Sequence, residues 1–153
     1  MDHVLVRYLL TSLVAGAVGV LAMELAMWLT TRAGPARHGS MIVALGSLIT
    51  GSRENAFRAG ATLHVIMGII FALLYVWAMH VFKFTAFPTS VATGLGIGAL
   101  HGMIISLMLV WVVSDHHPLE EFKGADLAIG LSHFAGHVAY GGAVGVVVGF
   151  SSL

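Results

Sequence analysis

The sequence predicts an all-α integral membrane protein, a four-helix bundle running up-down-up-down across a bilayer with a short interfacial or re-entrant segment in its first loop. Two observations carry this expectation. Of the 153 residues, 58% are hydrophobic and 9% charged, with a mean hydropathy of +0.95, whereas soluble domains carry about 25% charged residues. Too little polar surface exists to coat a soluble particle. The apolar residues also fall into four stretches, each long enough for the about 20 helical residues that cross a hydrocarbon core of roughly 30 Å. Helix is the form expected, because hydrocarbon offers no partner for loose peptide groups.

The spans are expected at about 8–31, 59–82, 89–113 and 125–150. The first follows Arg7 and contains Ala15-Gly16-Ala17, which could pass for a signal-peptide cleavage site. The apolar run continues well beyond it, so an uncleaved helix is expected. Loop one carries Gly34-Pro35 and then the apolar patch Met41-Ile42-Val43-Ala44-Leu45, too short to span and therefore interfacial or re-entrant. Loop two is short, Lys83 to Pro88, and loop three is polar, Ser114 to Gly124. Trp28, Trp77, Trp111 and Tyr8 fall near span ends, as interfacial anchors do. The whole chain is one transmembrane domain, which leaves no length for a separate soluble module.

Orientation follows from the Lys and Arg bias of short loops. Arg32, Arg37, Arg53, Arg58 and Lys123 lie in loops one and three, against Arg7 and Lys83 on the other side. Loops one and three are thus expected to be cytoplasmic and both termini outside, in a membrane such as a bacterial inner membrane.

Two glycine ridges predict close packing. Gly94, Gly98 and Gly102 recur every four residues in the third span, and Gly141, Gly145 and Gly149 do so in the fourth. Small residues at this spacing let helix backbones approach in lipid, so these spans are expected to be tight partners or to pack on another subunit. Gly16 and Gly19 extend the pattern in the first span, and Gly60 and Gly68 in the second. No internal repeat relates the two halves.

Composition removes several function classes. Without cysteine there is neither a disulfide framework nor a thiolate site. Lys plus Arg equals Asp plus Glu at 7 each, so no nucleic-acid partner is suggested. The run Gly94-Leu95-Gly96-Ile97-Gly98 resembles a phosphate loop only superficially, since no strand precedes it and it lies inside a span.

Nine histidines remain to be explained. Five ionisable groups lie at membrane depth, away from the span ends: Glu24, His64, His101, His133 and His137. Such groups are costly in a membrane and usually face the bundle interior or a cavity. At about 1.5 Å per residue, all five fall in the half of the bilayer next to loops one and three, in two tiers about one turn apart. His133 and His137, at i and i+4, share one helix face, a spacing that places two imidazoles on one ion. With Glu24 they make a mixed nitrogen and oxygen shell suited to copper, zinc or iron, held between facing helices as bundle metal sites are. A lone histidine such as His64 is otherwise a common interhelical hydrogen-bond donor. Met23, Met27, Met67 and Met103 lie near enough to serve Cu(I), although methionine is a common core filler.

His116, His117, Glu120 and Glu121 form a second cluster in loop three, either a further ion site or solvated loop charge. His3, His38 and His80 are scattered near interfaces. The leading expectation is a membrane protein that binds a transition-metal ion through Glu24, His64, His101, His133 and His137. The alternatives are a haem b protein with His101 and His137 as axial ligands, and an accessory subunit whose glycine ridges are its contact surfaces. The expected partners are the lipid bilayer and either further copies of the chain or a larger membrane complex.

Overall fold

The computed structural model describes residues 2–33, 40–124 and 126–151. Gly34, Pro35, Arg37 and His38 of loop one, and Ala125 at the expected start of the fourth span, lie outside the described residues. All regular structure among them is helical: α1 (Asp2–Ala33), α2 (Met41–Thr50), α3 (Ala56–Val81), α4 (Thr89–Met108) and α5 (Leu127–Gly149). Four of them are long and apolar enough to cross a membrane.

α1 starts at Asp2 and α3 at Ala56, before the expected starts at 8 and 59, because residues such as His3, Arg7 and Arg58 extend a helix past the hydrocarbon-compatible stretch, whereas the third span matches the expected 89–113. α1 has 32 residues, about 48 Å at the helical rise, so it outruns a roughly 30 Å core and either tilts or projects beyond it. The apolar patch of loop one forms α2, ten residues long and so about 15 Å, half of what a crossing needs. Its C-cap is Gly51, at φ 65°, whose N–H reaches the Ser47 carbonyl at 2.9 Å; the left-handed conformation is one that glycine takes without cost.

The third span is continuous to Val113 but changes its ladder. After Met108, five residues, Leu109–Val113, wind as a π turn, closed by the Ser114 N–H on the Leu109 carbonyl at 3.0 Å. The π turn is thus the last turn of this span. At the start of α5 the Asp126 carboxylate accepts the Ile129 N–H at 3.0 Å, an N-cap that occupies one of the helix's otherwise unpaired donors.

Neighbouring helices run in opposite chain directions, as their pairings record. From α1 to α3, Tyr8 donates to the Leu73 carbonyl at 2.8 Å, Gly16 faces Gly68 and Ile69, and Glu24 meets His64. From α1 to α5, Gly19 faces Tyr140, Met23 and Met27 cover Gly136, and the Thr30 and Ser132 hydroxyls are 2.7 Å apart. From α4 to α5, Gly94 faces Gly141, Gly98 faces the backbone at His137 and Gly141, and Gly102 faces Phe134. The ridges of α4 and α5 therefore face each other within one chain. Gly46 and Gly60 bring α2 and α3 into backbone contact in the same manner.

Three sides of the bundle, α3–α1, α1–α5 and α5–α4, are closely packed, while α3 and α4 touch at few points. The buried core runs through the closed side, with Val76 and Met79 of α3 and Val144 and Val148 of α5 fully enclosed. The fourth side leaves a seam.

Candidate functional site

Behind that seam is a cavity of about 300 Å³, in the half of the bundle nearest loops one and three. Its walls are mostly apolar, from α2, α3 and the end of α4, and its polar residues include all five of Glu24, His64, His101, His133 and His137. The five residues expected at one depth thus gather around one space. They do not gather around one point: among the described residues no three histidine or acidic side chains stand close enough together to hold an ion.

They are instead arranged as smaller sets. Glu24 Oε1 lies 3.1 Å from His64 Nε2, with the side chains 38% and 18% exposed. That separation suits a hydrogen bond, yet the alignment does not, and His64 Nε2 is buried without a hydrogen-bond partner. The contact is therefore a close approach of a carboxylate oxygen and a ring nitrogen rather than a directed hydrogen bond. His64, His133 and His137 line the same cavity.

On α5 the two histidines are held alike. His133 Nδ1 is 2.9 Å from the Ile129 carbonyl, and His137 Nδ1 is 2.9 Å from the His133 carbonyl. A carbonyl can only accept, so each Nδ1 carries the proton and, in the neutral ring, each Nε2 keeps its lone pair. Metal-ligating histidines are characteristically fixed in this way, their second nitrogen donating to a carbonyl or carboxylate. The i, i+4 spacing supplies the geometry, since each ring folds back over the turn preceding it.

His101 belongs to a different set. Its Nδ1 is 3.0 Å from the Tyr75 hydroxyl, its ring lies 4.1 Å from that of Phe71, and it meets His137 edge-to-face with ring centroids 4.6 Å apart. Its Nε2 is buried and without a hydrogen-bond partner. Tyr140 continues this polar spine, packing edge-on against Tyr75 at 5.6 Å and donating to the Gly68 carbonyl. Tyr75 and Tyr140 are not among the site residues expected from sequence. The available signal is their position in mid-span, where a belt tyrosine has no headgroup to reach and its hydroxyl needs a partner inside the protein. Of the four methionines singled out, Met23, Met27 and Met67 line the cavity together with Met41 and Met108, whereas Met103 is 49% exposed on the outer face of α4.

The loop-three cluster is divided among separate partners. His116 Nδ1 donates to the Val112 carbonyl at 2.8 Å, Glu120 pairs with Lys123 at 2.6 Å, and Glu121 takes Arg53 in a two-pronged pair at 2.6 Å on each oxygen. The hydrogen bond from Arg53 holds the Glu121 carboxyl below its ordinary range, and the same pair raises Arg53. His117 is only 3% exposed: Nε2 donates to the Ala44 carbonyl at 3.0 Å, and Nδ1 accepts the Leu119 N–H at 3.1 Å. This side chain ties loop three to α2, and the two together roof the cavity. Read from sequence as part of a possible ion site or as solvated charge, His117 is a buried tie in the structure.

Comparison of the chain with protein-family models, with curated proteins and with solved structures finds no match.

Proposed function

We propose that this chain is an integral membrane protein that binds a transition-metal ion, copper, zinc or iron, at the polar floor of its cavity, with Glu24, His64, His133 and His137 as donors and His101 beside them. The four long helices cross the bilayer up-down-up-down, α2 lies at the interface or re-enters, and loops one and three face the cytoplasm.

The observation that carries this reading is the Glu24–His64 contact. At 3.1 Å without hydrogen-bond alignment, two donor atoms are spaced much as adjacent ligands of one ion are, since bonds of about 2.0–2.2 Å put neighbouring donors roughly 3.3 Å apart in a tetrahedron. Across the cavity, His133 and His137 offer Nε2 lone pairs whose tautomer is set by the backbone. A third donor would come from His133 or His137 only if its ring swung toward the Glu24–His64 pair and gave up its Nδ1 bond to the backbone carbonyl. The carboxylate supplies the negative charge that a divalent ion needs in a low-dielectric site. The haem alternative has less support: bonds of about 2 Å on either side of an iron place axial imidazole centroids roughly 6 Å apart, whereas those of His101 and His137 are 4.6 Å apart with their rings edge-to-face.

The test is metal analysis of protein purified without a histidine tag from cells grown with copper, zinc and iron. Wild type and His80→Ala should retain a stoichiometric metal, while His64→Ala and His137→Ala should lose most of it. Wild type without metal, or variants that keep it at wild-type level, would sink the reading.

A further inference from the structure

We infer that loop three is a gate, latched to α2, through which water and small hydrophilic solutes on the loop side reach the polar floor of the cavity. The inference rests on the reading of the four long helices as membrane spans, and it holds whether or not an ion binds at the floor. Glu24 lines the cavity with its side chain 38% exposed, and a carboxylate at that depth needs water or a cation beside it. The sparsely packed α3/α4 side opens on hydrocarbon, which supplies neither. Polar lining reappears at the other end of the cavity, in Ser114, His117, Glu121 and Lys123. That end is closed where loop three meets α2, a junction at which Ala44 is 6% and His117 3% exposed.

The two sides of this closure are fixed unequally. α2 lies backbone against backbone on α3, so that a Cβ at Gly46 would overlap the Ala56 carbonyl and one at Gly60 the Ile42 carbonyl. Loop three is joined to α2 and its following turn by polar ties instead. His117 Nε2 donates to the Ala44 carbonyl at 3.0 Å, with the Ser47 hydroxyl at 3.5 Å, and Glu121 holds Arg53 through both oxygens at 2.6 Å. Phe122 packs edge-on against His117 with centroids 5.0 Å apart, but it belongs to the same loop and moves with it. Exposed ion pairs contribute little, and the Arg53 and Glu121 side chains are 66% and 40% exposed, which leaves the buried His117 tie as the main latch. Segments held by few buried apolar contacts open locally while packed helices stay closed. Loop three is thus the leaf that moves and α2 the frame it closes on. Its swing clears a path from the loop side to Glu24 and His64 without parting the glycine seams between the long helices.

The chain has no cysteine, so a single introduced thiol reports its own access to water. Full-length protein in lipid nanodiscs, treated with chelator so that metal plays no part, is reacted with a membrane-impermeant methanethiosulfonate bearing a trimethylammonium group. The reporter is Ile105→Cys, which lines the cavity beneath the roof. The references are Asp115→Cys on the exposed loop and Leu100→Cys, at a position of α4 that is 58% exposed and faces lipid. Ile105→Cys should react at least tenfold more slowly than Asp115→Cys, and Leu100→Cys should not react. Where opening and closing are fast, the rate tracks the open population. Adding Glu121→Arg, which sets like charges together, should therefore quicken Ile105→Cys at least threefold, and adding His117→Phe at least tenfold. Arg53→Glu combined with Glu121→Arg rebuilds the pair in reverse and should restore the slow rate, which a general loosening of the fold would not. An Ile105→Cys rate that neither substitution changes, with Leu100→Cys silent, would overturn the gate alone. So would Ile105→Cys reacting as fast as Asp115→Cys in the otherwise unaltered chain, since the roof then stands open. Leu100→Cys reacting as fast as Asp115→Cys would overturn the membrane reading, and the gate with it. Should His117→Phe fail to fold, the charge reversal and its rescue decide alone.

Discussion

Substituting Gly98 by alanine, one methyl group, should loosen the α4–α5 seam, and the structure allows the size of the effect to be worked out. A Cβ at Gly98 would stand 3.2 Å from the Cα atoms of both Gly141 and Val138 and 2.5 Å from the His137 carbonyl oxygen. Those atoms are backbone of a packed helix and cannot turn aside. Carbon atoms sit at about 3.5–4.0 Å in a relaxed contact, so the helices must part by about half an ångström. A gap of roughly 0.5–1 Å forfeits a quarter to a half of each contact's dispersion energy, and the loss extends along the ridge through Gly94, Gly102 and Gly145. Overpacking of this kind costs about 1–3 kcal/mol. Gly96, in the same helix, provides the control, because a Cβ there meets nothing within 4 Å. Gly96→Ala should be neutral or gain up to about 1 kcal/mol from helix propensity. Unfolding in detergent, followed by tryptophan fluorescence, should show Gly98→Ala melting several degrees below Gly96→Ala, with Gly141→Ala behaving like Gly98→Ala. If all three melt together, the glycine seam does not hold the bundle.

Further outcomes follow from the same geometry. A reporter fused at the C terminus should be active only outside the cytoplasm, and one inserted in loop three only inside; the opposite pattern overturns the orientation. Gly60→Ala, whose Cβ would fall against the Ile42 carbonyl and the Gly46 nitrogen, should lift α2 off α3 and expose the 40–51 segment to protease, with cleavage at the wild-type rate as the contrary result. The Arg53–Glu121 pair gives a pH dependence. Because hydrogen bonding to Arg53 lowers the folded carboxyl below its unfolded value, the pair contributes above the ordinary carboxylate range and is lost as pH falls through the lower, folded value. Protection of loop-three amides, measured against the intrinsic exchange rate at each pH, should therefore persist at mildly acid pH and fall only in stronger acid, while Glu121→Gln should lack it already at neutral pH. Exchange in Glu121→Gln that matches wild type at neutral pH would show that the pair does not order the loop.

What the sequence determined by itself are the features that depend on composition and local period. Four apolar runs of sufficient length become four long helices, since hydrocarbon-compatible backbone has few other options. Glycines every fourth residue lie on one face of a helix, which is why Gly94, Gly98 and Gly102 could be read as a packing ridge before their partner was known. The common depth of Glu24, His64, His101, His133 and His137 is arithmetic along helices of known rise, and all five do line one cavity. Depth, however, says nothing about rotation of a helix about its axis or about which helix stands beside which. Those are set by packing between segments far apart in sequence. Only the tertiary structure decided that α5 lies between α1 and α4, that the seam stays open between α3 and α4, and that Tyr75 reaches His101. It alone pairs Glu24 with His64 while leaving His133 and His137 tied to their own backbone. His117 makes the point most directly: in sequence it is one polar residue in a charged loop, and it is buried because Ala44, 73 positions away, turns a carbonyl toward it. Such a contact follows from where α2 docks on α3, and no local pattern encodes it.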